Sequence, residues 1–252
     1  MTHPARVDAL RAWTEAALSF FYPDLCQICG VHSAGKADGY VCSDCREGPQ
    51  GVRLIKPPYC ERCGLPFPGD ITHAFDCSNC REMKLHFTQA RAAVTATELL
   101  LEVVHRYKYQ RALWFEPFLA DLLIQTAAPE LSEAPVDLLI PVPLHPLKEK
   151  EREFNQAARL AERLSRATGI PCAQNCLKRV RATDTQTRLS RDDRARNMKR
   201  AFAASGTTVV AGRRIALIDD VLTTGATTSS CALALRQAGA RDVIVWTVTR
   251  GL

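Results

Sequence analysis

The 252-residue chain lacks any apolar run near the roughly 18 residues that a membrane-spanning helix needs. It also lacks the apolar core of a secretory leader, because Arg6, Asp8, Arg11 and Glu15 interrupt its first residues. Val7, Leu10, Ala17 and Phe21 read instead as one face of an amphipathic helix over residues 1–22. Together these absences lead to the expectation of a soluble, cytoplasmic protein with no membrane span. No G-x-x-x-x-G-K-[ST] sequence occurs, which excludes a P-loop nucleotide site. Between residues 23 and 88 large apolar side chains are few, so that segment cannot build much of a core from them. The chain as a whole is 46% hydrophobic, enough for one large domain or a medium one with a small companion.

What the sequence has in excess is cysteine. Eight of its eleven cysteines form four C-x2-C pairs: Cys26/Cys29, Cys42/Cys45, Cys60/Cys63 and Cys77/Cys80. A C-x2-C turn aims two thiolates at one point, and a second turn completes a tetrahedral site of the kind Zn²⁺ accepts. Gly30 and Gly64 follow the second cysteine of their pairs and suit the left-handed backbone of a metal knuckle. Sequential pairing on two ions, 26/29/42/45 and 60/63/77/80, is simplest; interleaving, with the first and third pairs sharing an ion, is the alternative. In a reducing compartment metal is favoured over disulfides. Four thiolates leave no open coordination position, so the expected role is structural, with metal binding supplying folding energy to residues 23–88. His73 is a spare ligand on paper and a surface residue by preference. Cys172, Cys176 and Cys231 stand outside the scheme, Cys231 as a core residue.

After residue 88 strands and helices alternate. "ARAAVTATE", "VDLLIPVP", "RRIALIDD" and "DVIVWTVT" read as strands. "LLEVVHRYKYQ", "ALWFEPFLADLLIQTA", the run from Phe154 to Gly169 and "TTSSCALALRQAGA" read as helices. Such alternation implies an α/β fold with a parallel sheet covered by helices on both faces, whose ligands bind beyond the carboxyl ends of the strands. "IALIDDVLTTGAT" has that address. Backbone amides of the Thr223–Thr227 turn, the start of the next helix and several hydroxyls make a phosphate cradle. Asp219 and Asp220 beside it suit ribose hydroxyls or a ribose-bound Mg²⁺. The bland alternative is a plain βα loop with a strand-end pair capping it. Farther back, residues 178–200 carry nine Lys/Arg against three Asp, a net +6 that equals the surplus of the whole chain. Such a stretch suits phosphate-bearing partners, or is simply a solvated helix.

"IALIDDVLTTGAT" resembles the phosphoribosyl-pyrophosphate (PRPP) motif of type I phosphoribosyltransferases. With the four C-x2-C pairs, "DLLIPVPLHP", "EFNQA" and "TDTQTRLSRDDRARNMKRAF" in order, nearly the full chain resembles the ComF family. Members of that family join a double zinc ribbon to such a domain and usually read G-F-N-Q where this chain has Glu153, Phe154, Asn155 and Gln156. The resemblance implies a type I phosphoribosyltransferase-like domain over 89–252, after a double zinc ribbon over 23–88. By the same resemblance Asp219 and Asp220 hold the ribose, Thr223, Thr224, Gly225, Ala226 and Thr227 hold the 5′-phosphate, and Val221 and Leu222 belong to the same PRPP-binding segment. Val142, Pro143, Leu144 and His145 would form the pyrophosphate loop. Gln186, Arg188, Arg194 and Asn197 would face the pyrophosphate or the acceptor from a mobile loop.

The implied ligands are PRPP with Mg²⁺, and the implied setting is natural competence, with single-stranded DNA and other competence proteins as partners. Two functional alternatives remain open: a salvage-type phosphoribosyltransferase for an acceptor that the sequence does not name, and a non-catalytic PRPP-sensing regulator. A purely structural adaptor fits the intact DD/TTGAT motif less well. His145 is the nearest candidate for a base, against a plain loop residue held between prolines.

Overall fold

The structure, a computed structural model, describes residues 24–67, 69, 76–180, 201–205 and 207–251. The helix expected over 1–22, His73, and the segment 181–200 with Gln186, Arg188, Arg194 and Asn197 lie outside those residues.

At the centre are four parallel strands: β1 (Ala90–Thr95), β2 (Leu138–Pro141), β5 (Arg214–Leu222) and β6 (Asp242–Arg250), in the order β1-β6-β5-β2. Residues on successive positions face opposite sides of a strand, and both sides here are apolar. Ile215, Leu217, Val243 and Val245 enter one core; Ala216, Ile218, Ile244 and Trp246 enter the other. The second core also receives α3 (Glu98–Tyr109), α4 (Glu116–Glu133) and α6 (Gln156–Thr168). The first receives α8 (Ala226–Gln237) and a separate antiparallel hairpin of β3 (Leu177–Arg179) and β4 (Phe202–Ala204). The hairpin flanks residues 181–200, and Val180 N donates to Ala201 O at 2.8 Å. Short helices α1 (Ser43–Glu47), α2 (Ser78–Glu82), α5 (Pro146–Arg152) and α7 (Thr207–Val210) lie between these elements.

Local chemistry fixes the helix ends. The Thr97 side chain accepts from Leu100 N and starts α3. Asn155 caps α6, which therefore begins at Gln156 rather than at Phe154, and Gly169 ends it with φ +74°. The helix read over "ALWFEPFLADLLIQTA" begins at Glu116 after a 3₁₀ turn at Leu113–Phe115 and runs beyond that stretch to Glu133, through Pro129. Buried Leu131 anchors its last turn.

Between α4 and α6, Glu116 is 3% exposed and sits against two guanidiniums, those of Arg159 and Arg163 (Nε–Oε1 2.5 Å). Burial alone would raise the Glu116 pKa; the two arginines outweigh it and hold the carboxyl below its ordinary range.

Both sheet edges are covered. Around Leu54, Ile55 N donates to Ala93 O and Thr95 N to Arg53 O, so the chain between two cysteine pairs closes the β1 edge. Residues Pro171–Ala173 close the β2 edge through Leu139 N to Pro171 O and Ala173 N to Leu139 O. Edge coverage of this kind keeps unpaired strand groups from recruiting other chains.

Candidate functional site

Two clusters of four sulfurs form, Cys26/Cys29/Cys42/Cys45 and Cys60/Cys63/Cys77/Cys80, and within each the ligand atoms lie within 4.8 Å of one another. The grouping is the sequential one. In the first, Cys26–Cys45 and Cys29–Cys42 Sγ distances are both 3.8 Å; in the second, Cys60–Cys80 is 3.8 Å and Cys63–Cys77 is 3.6 Å. A tetrahedron with Zn–S bonds of about 2.3 Å has S···S edges of about 3.8 Å, so both sets fit Zn²⁺.

Backbone N–H groups serve the thiolates as well. Cys42 N approaches Cys26 Sγ at 3.4 Å, and Cys77 N approaches Cys60 Sγ at 3.3 Å. Amides of His32 and Val31 draw the Cys29 thiol down to about 6. The second cluster is wholly buried and shares the sheet's core with Leu85, Phe87 and Ala90. Both sites are structural Zn²⁺ sites with every position taken by sulfur. Cys176 and Cys231 are buried elsewhere, and Cys172 is half-buried beside the β2 edge.

The second site lies at the carboxyl ends of β2 and β5. An open cleft of about 310 Å³ is lined there by Lys108, Val142–Leu144, Arg152, Asn155–Ala157, Arg179, Asp219–Val221, Thr223 and Thr227. Asp219 and Asp220 reach it because β5 continues through them to Leu222. Thr249 Oγ1 donates to Asp220 O at 3.2 Å, and Asp220 N donates to Asp219 Oδ1 at 2.9 Å, which fixes the pair. The turn after β5 then reverses. Gly225 takes φ +79°, a left-handed conformation that a side chain would strain, and α8 begins at Ala226. The first α8 backbone bond runs from Ser229 N to Gly225 O, which leaves the preceding N–H groups at the start of the helix without an intrahelical backbone partner. Thr224 Oγ1 accepts from Ala226 N at 3.4 Å.

Of the residues expected from the motif, Asp219, Asp220, Val221, Thr223, Thr227, Pro143 and Leu144 line the cleft. Leu222 and Gly225 are buried beneath the turn, while Thr224 is exposed on it. His145 is not part of the lining: its Nδ1 accepts from Leu147 N at 3.3 Å and caps α5. Glu153, in the place of the family's usual glycine, ends α5 with φ +67° and pairs with Arg111 at 3.0 Å. Glu153 thus makes with a side chain a left-handed turn that a glycine would make without strain.

Several cleft residues were not visible from the motif. Lys108, at the end of α3, places Nζ 2.7 Å from Asp220 Oδ2, with the two side chains 19% and 7% exposed. Burial alone would lower the Lys108 pKa; Asp220 outweighs it and raises it. For Asp219, burial first and the Asp220 charge second push the carboxyl well above its ordinary range, with Lys108 opposing only in part. Arg152, stacked at 4.7 Å on the Tyr109 ring, and Arg179, near the Phe202 ring, bring further positive charge. Asn155 caps α6 and also donates to Val142 O at 3.1 Å, which holds the Val142–Leu144 loop against that helix. Next to it Gln156, 2% exposed, has a buried Nε2 with no hydrogen-bond partner among the described residues. An acidic pair, a turn of outward amides and a ring of cations suit a polyanionic ligand that also bears hydroxyls.

Known proteins bear on both sites. Residues 17–83 match the family model described as Double zinc ribbon domain. Competence protein F of Haemophilus influenzae is 33% identical over 231 residues, 87% of this chain and 96% of the relative. Competence protein ComFC of Bacillus subtilis is 30% identical over 227 residues, 85% of this chain and 86% of the relative. Among solved structures, a purine phosphoribosyltransferase of Pyrococcus horikoshii aligns with 53% of this chain and 82% of its own, at 19% identity and a TM-score of 0.35. With 33% identity sustained over nearly the whole of both chains, the protein belongs to the family of Competence protein F, the ComF family.

Proposed function

We propose that the cleft binds PRPP together with Mg²⁺, and that the protein acts in competence-type handling of incoming single-stranded DNA. The observation that carries the ligand assignment is the adjacency of the Asp219–Asp220 pair and the Thr223–Thr227 turn within one cleft of about 310 Å³. In this reading the 5′-phosphate lies on the turn and the start of α8, where outward amides meet a positive helix end. The ribose diol donates to the acid pair. The pyrophosphate extends toward Pro143, Leu144, Lys108 and Arg152. Mg²⁺ is held by one or two carboxylates plus ligand phosphates in such sites. Asp220 already faces Lys108 at 2.7 Å, so most of the ion's ligands would come from PRPP itself.

The relatives support the biological setting: competence proteins, and the DNA utilization protein YhgH of Escherichia coli K12 at 30% identity. Transfer of the phosphoribosyl group is the first reading of the chemistry. A nucleophile would displace pyrophosphate at the anomeric carbon, with cations stabilising the leaving group and fixed ribose contacts positioning the carbon. Binding without transfer, as a PRPP sensor, is favoured by one observation. Among the described residues, the lining holds no histidine or cysteine, and its carboxylates are the two that face the ribose.

The test is pyrophosphate release from PRPP and Mg²⁺ in the presence of a panel of nucleobases and single-stranded DNA. Release that depends on one acceptor identifies the transferase and its substrate. Binding without release under every acceptor leaves the sensor reading.

A further inference from the structure

A single buried arginine joins the second zinc site to the proposed phosphate turn. Arg250 ends β6, directly opposite Leu222 at the end of β5, and is 4% exposed. Its guanidinium spans two parts of the molecule. On one side Nε donates to Cys63 O at 3.3 Å, and Nη2 approaches Cys63 Sγ at 3.6 Å. On the other, Nη1 donates to Leu222 O at 3.1 Å, Thr223 O at 2.6 Å and Gly251 O at 2.5 Å. The Leu222 and Thr223 carbonyls belong to the residues where β5 turns into the cradle. A planar guanidinium with five donors serves this geometry as no other side chain can.

The knuckle is clamped to the sheet by other contacts as well. Ala90 N donates to Arg62 O at 2.8 Å, and Gly64, at φ +66°, lets the knuckle backbone lie so close to Ala90 that a Cβ there would sit 2.7 Å from its carbonyl oxygen. On the far side of the turn, Ser229 Oγ accepts from His86 N at 3.0 Å, and the Phe87 ring packs against Gly225. The first zinc site is placed differently. It packs against α3 and α4, with Arg106 donating to Gln27 O and Arg46 over the Phe118 ring. Among the described residues no hydrogen bond joins it to Asp219–Thr227.

We propose that Arg250 is a positioning residue that makes the second zinc site part of the phosphate site. The Cys63 knuckle, held in shape by Zn²⁺, fixes the guanidinium, and the guanidinium fixes the Leu222–Thr223 carbonyls, so that the turn presents its amides to a phosphate. Loss of zinc frees the knuckle and leaves Arg250 without two of its acceptors. Coupling between two sites is reciprocal: if zinc at the second site favours phosphate binding, the phosphosugar favours zinc retention by the same factor. This inference rests on the PRPP reading of the cleft.

The experiment uses the full chain with both zinc ions bound. Zinc release to a chromophoric chelator is followed with and without saturating PRPP, and with ribose 5-phosphate as a probe that lacks the metal-binding pyrophosphate. The first site, whose Cys29 is exposed, supplies the faster phase and the internal control. PRPP and ribose 5-phosphate should slow the second phase about 5- to 30-fold, within the usual range of site–site coupling. The first phase should stay unchanged. In Arg250→Lys and Arg250→Met the slowing should disappear, and phosphosugar affinity should fall by a similar factor. If neither variant folds, the wild-type comparison decides alone. Binding of PRPP by calorimetry with no change in second-site release overturns the coupling and leaves the PRPP reading intact. Absence of PRPP binding to the wild type removes both.

Discussion

Replacing Lys108 with methionine keeps the volume of the side chain and removes the charge facing Asp220. At the observed 2.7 Å the gross attraction between the two charges is about 6 kcal/mol at an effective dielectric of about 20. The net loss is smaller, because relaxation and water entry partly resolvate the orphaned carboxylate. Removing one partner of a buried pair typically costs about 3–5 kcal/mol. Lys108→Met should therefore destabilise the ligand-free protein by about 3–5 kcal/mol at pH 7.

The remedy distinguishes a charge effect from lost packing. Adding Asp220→Asn removes the orphan, and the double variant should regain at least about 2 kcal/mol, a coupling typical of contacting residues. The assay is equilibrium urea unfolding of the four proteins in a double-mutant cycle. A single-variant loss below about 1 kcal/mol, or a double variant no better than the single, would refute the reasoning.

Two further outcomes follow from the same site. Asp219 has a folded-state pKa raised by burial and by Asp220, so its contribution to stability is fully present below its unfolded value and is lost as pH rises. Asp219→Asn should therefore be more stable than the wild type at neutral pH, with an advantage that grows as pH rises above 4 and vanishes below; a pH-independent difference in urea midpoints contradicts this. Gly225→Ala places a Cβ at φ +79°, 3.4 Å from Phe87 Cζ, and should cost about 1–2 kcal/mol while weakening phosphosugar binding at least tenfold. Unchanged affinity in calorimetry would show that the turn does not hold the phosphate.

How much of this was legible in the sequence depends on how local each signal is. The β5–turn–α8 unit is contiguous, so an apolar run, two aspartates and a glycine could be read together. The cysteine pairs were legible for the same reason, and the sulfur distances settle the grouping that spacing left open as sequential. α6 announced its end through Gly169, whereas its start was misplaced by two residues because Asn155 looks like any polar residue until its side chain is seen accepting from Ala158 N.

Lys108 and Arg250 were not legible. Each looks like a surface charge at the end of an element. Each is made functional by a partner far away in sequence, Asp220 in one case and Cys63 in the other. The ribbon was equally opaque in its packing. Few apolar residues suggested a module folding around its own metal, yet the second cluster is buried in the sheet's core and residues Arg53–Ile55 complete the sheet's edge. Metal-built knuckles supply backbone groups and compact shape, and neither leaves a hydrophobic period to read.

In the proposed function the Asp219–Asp220 pair and the Thr223–Thr227 turn bind one phosphosugar. Isothermal titration of the zinc-loaded wild type and of the Asp220→Asn/Thr224→Ala double variant with PRPP, in the presence and absence of Mg²⁺, tests it most directly. The prediction is saturable one-to-one binding by the wild type that strengthens with Mg²⁺ and disappears in the variant, while both proteins retain two zinc ions. Equal affinity in the two proteins, or no binding by the wild type, would contradict it.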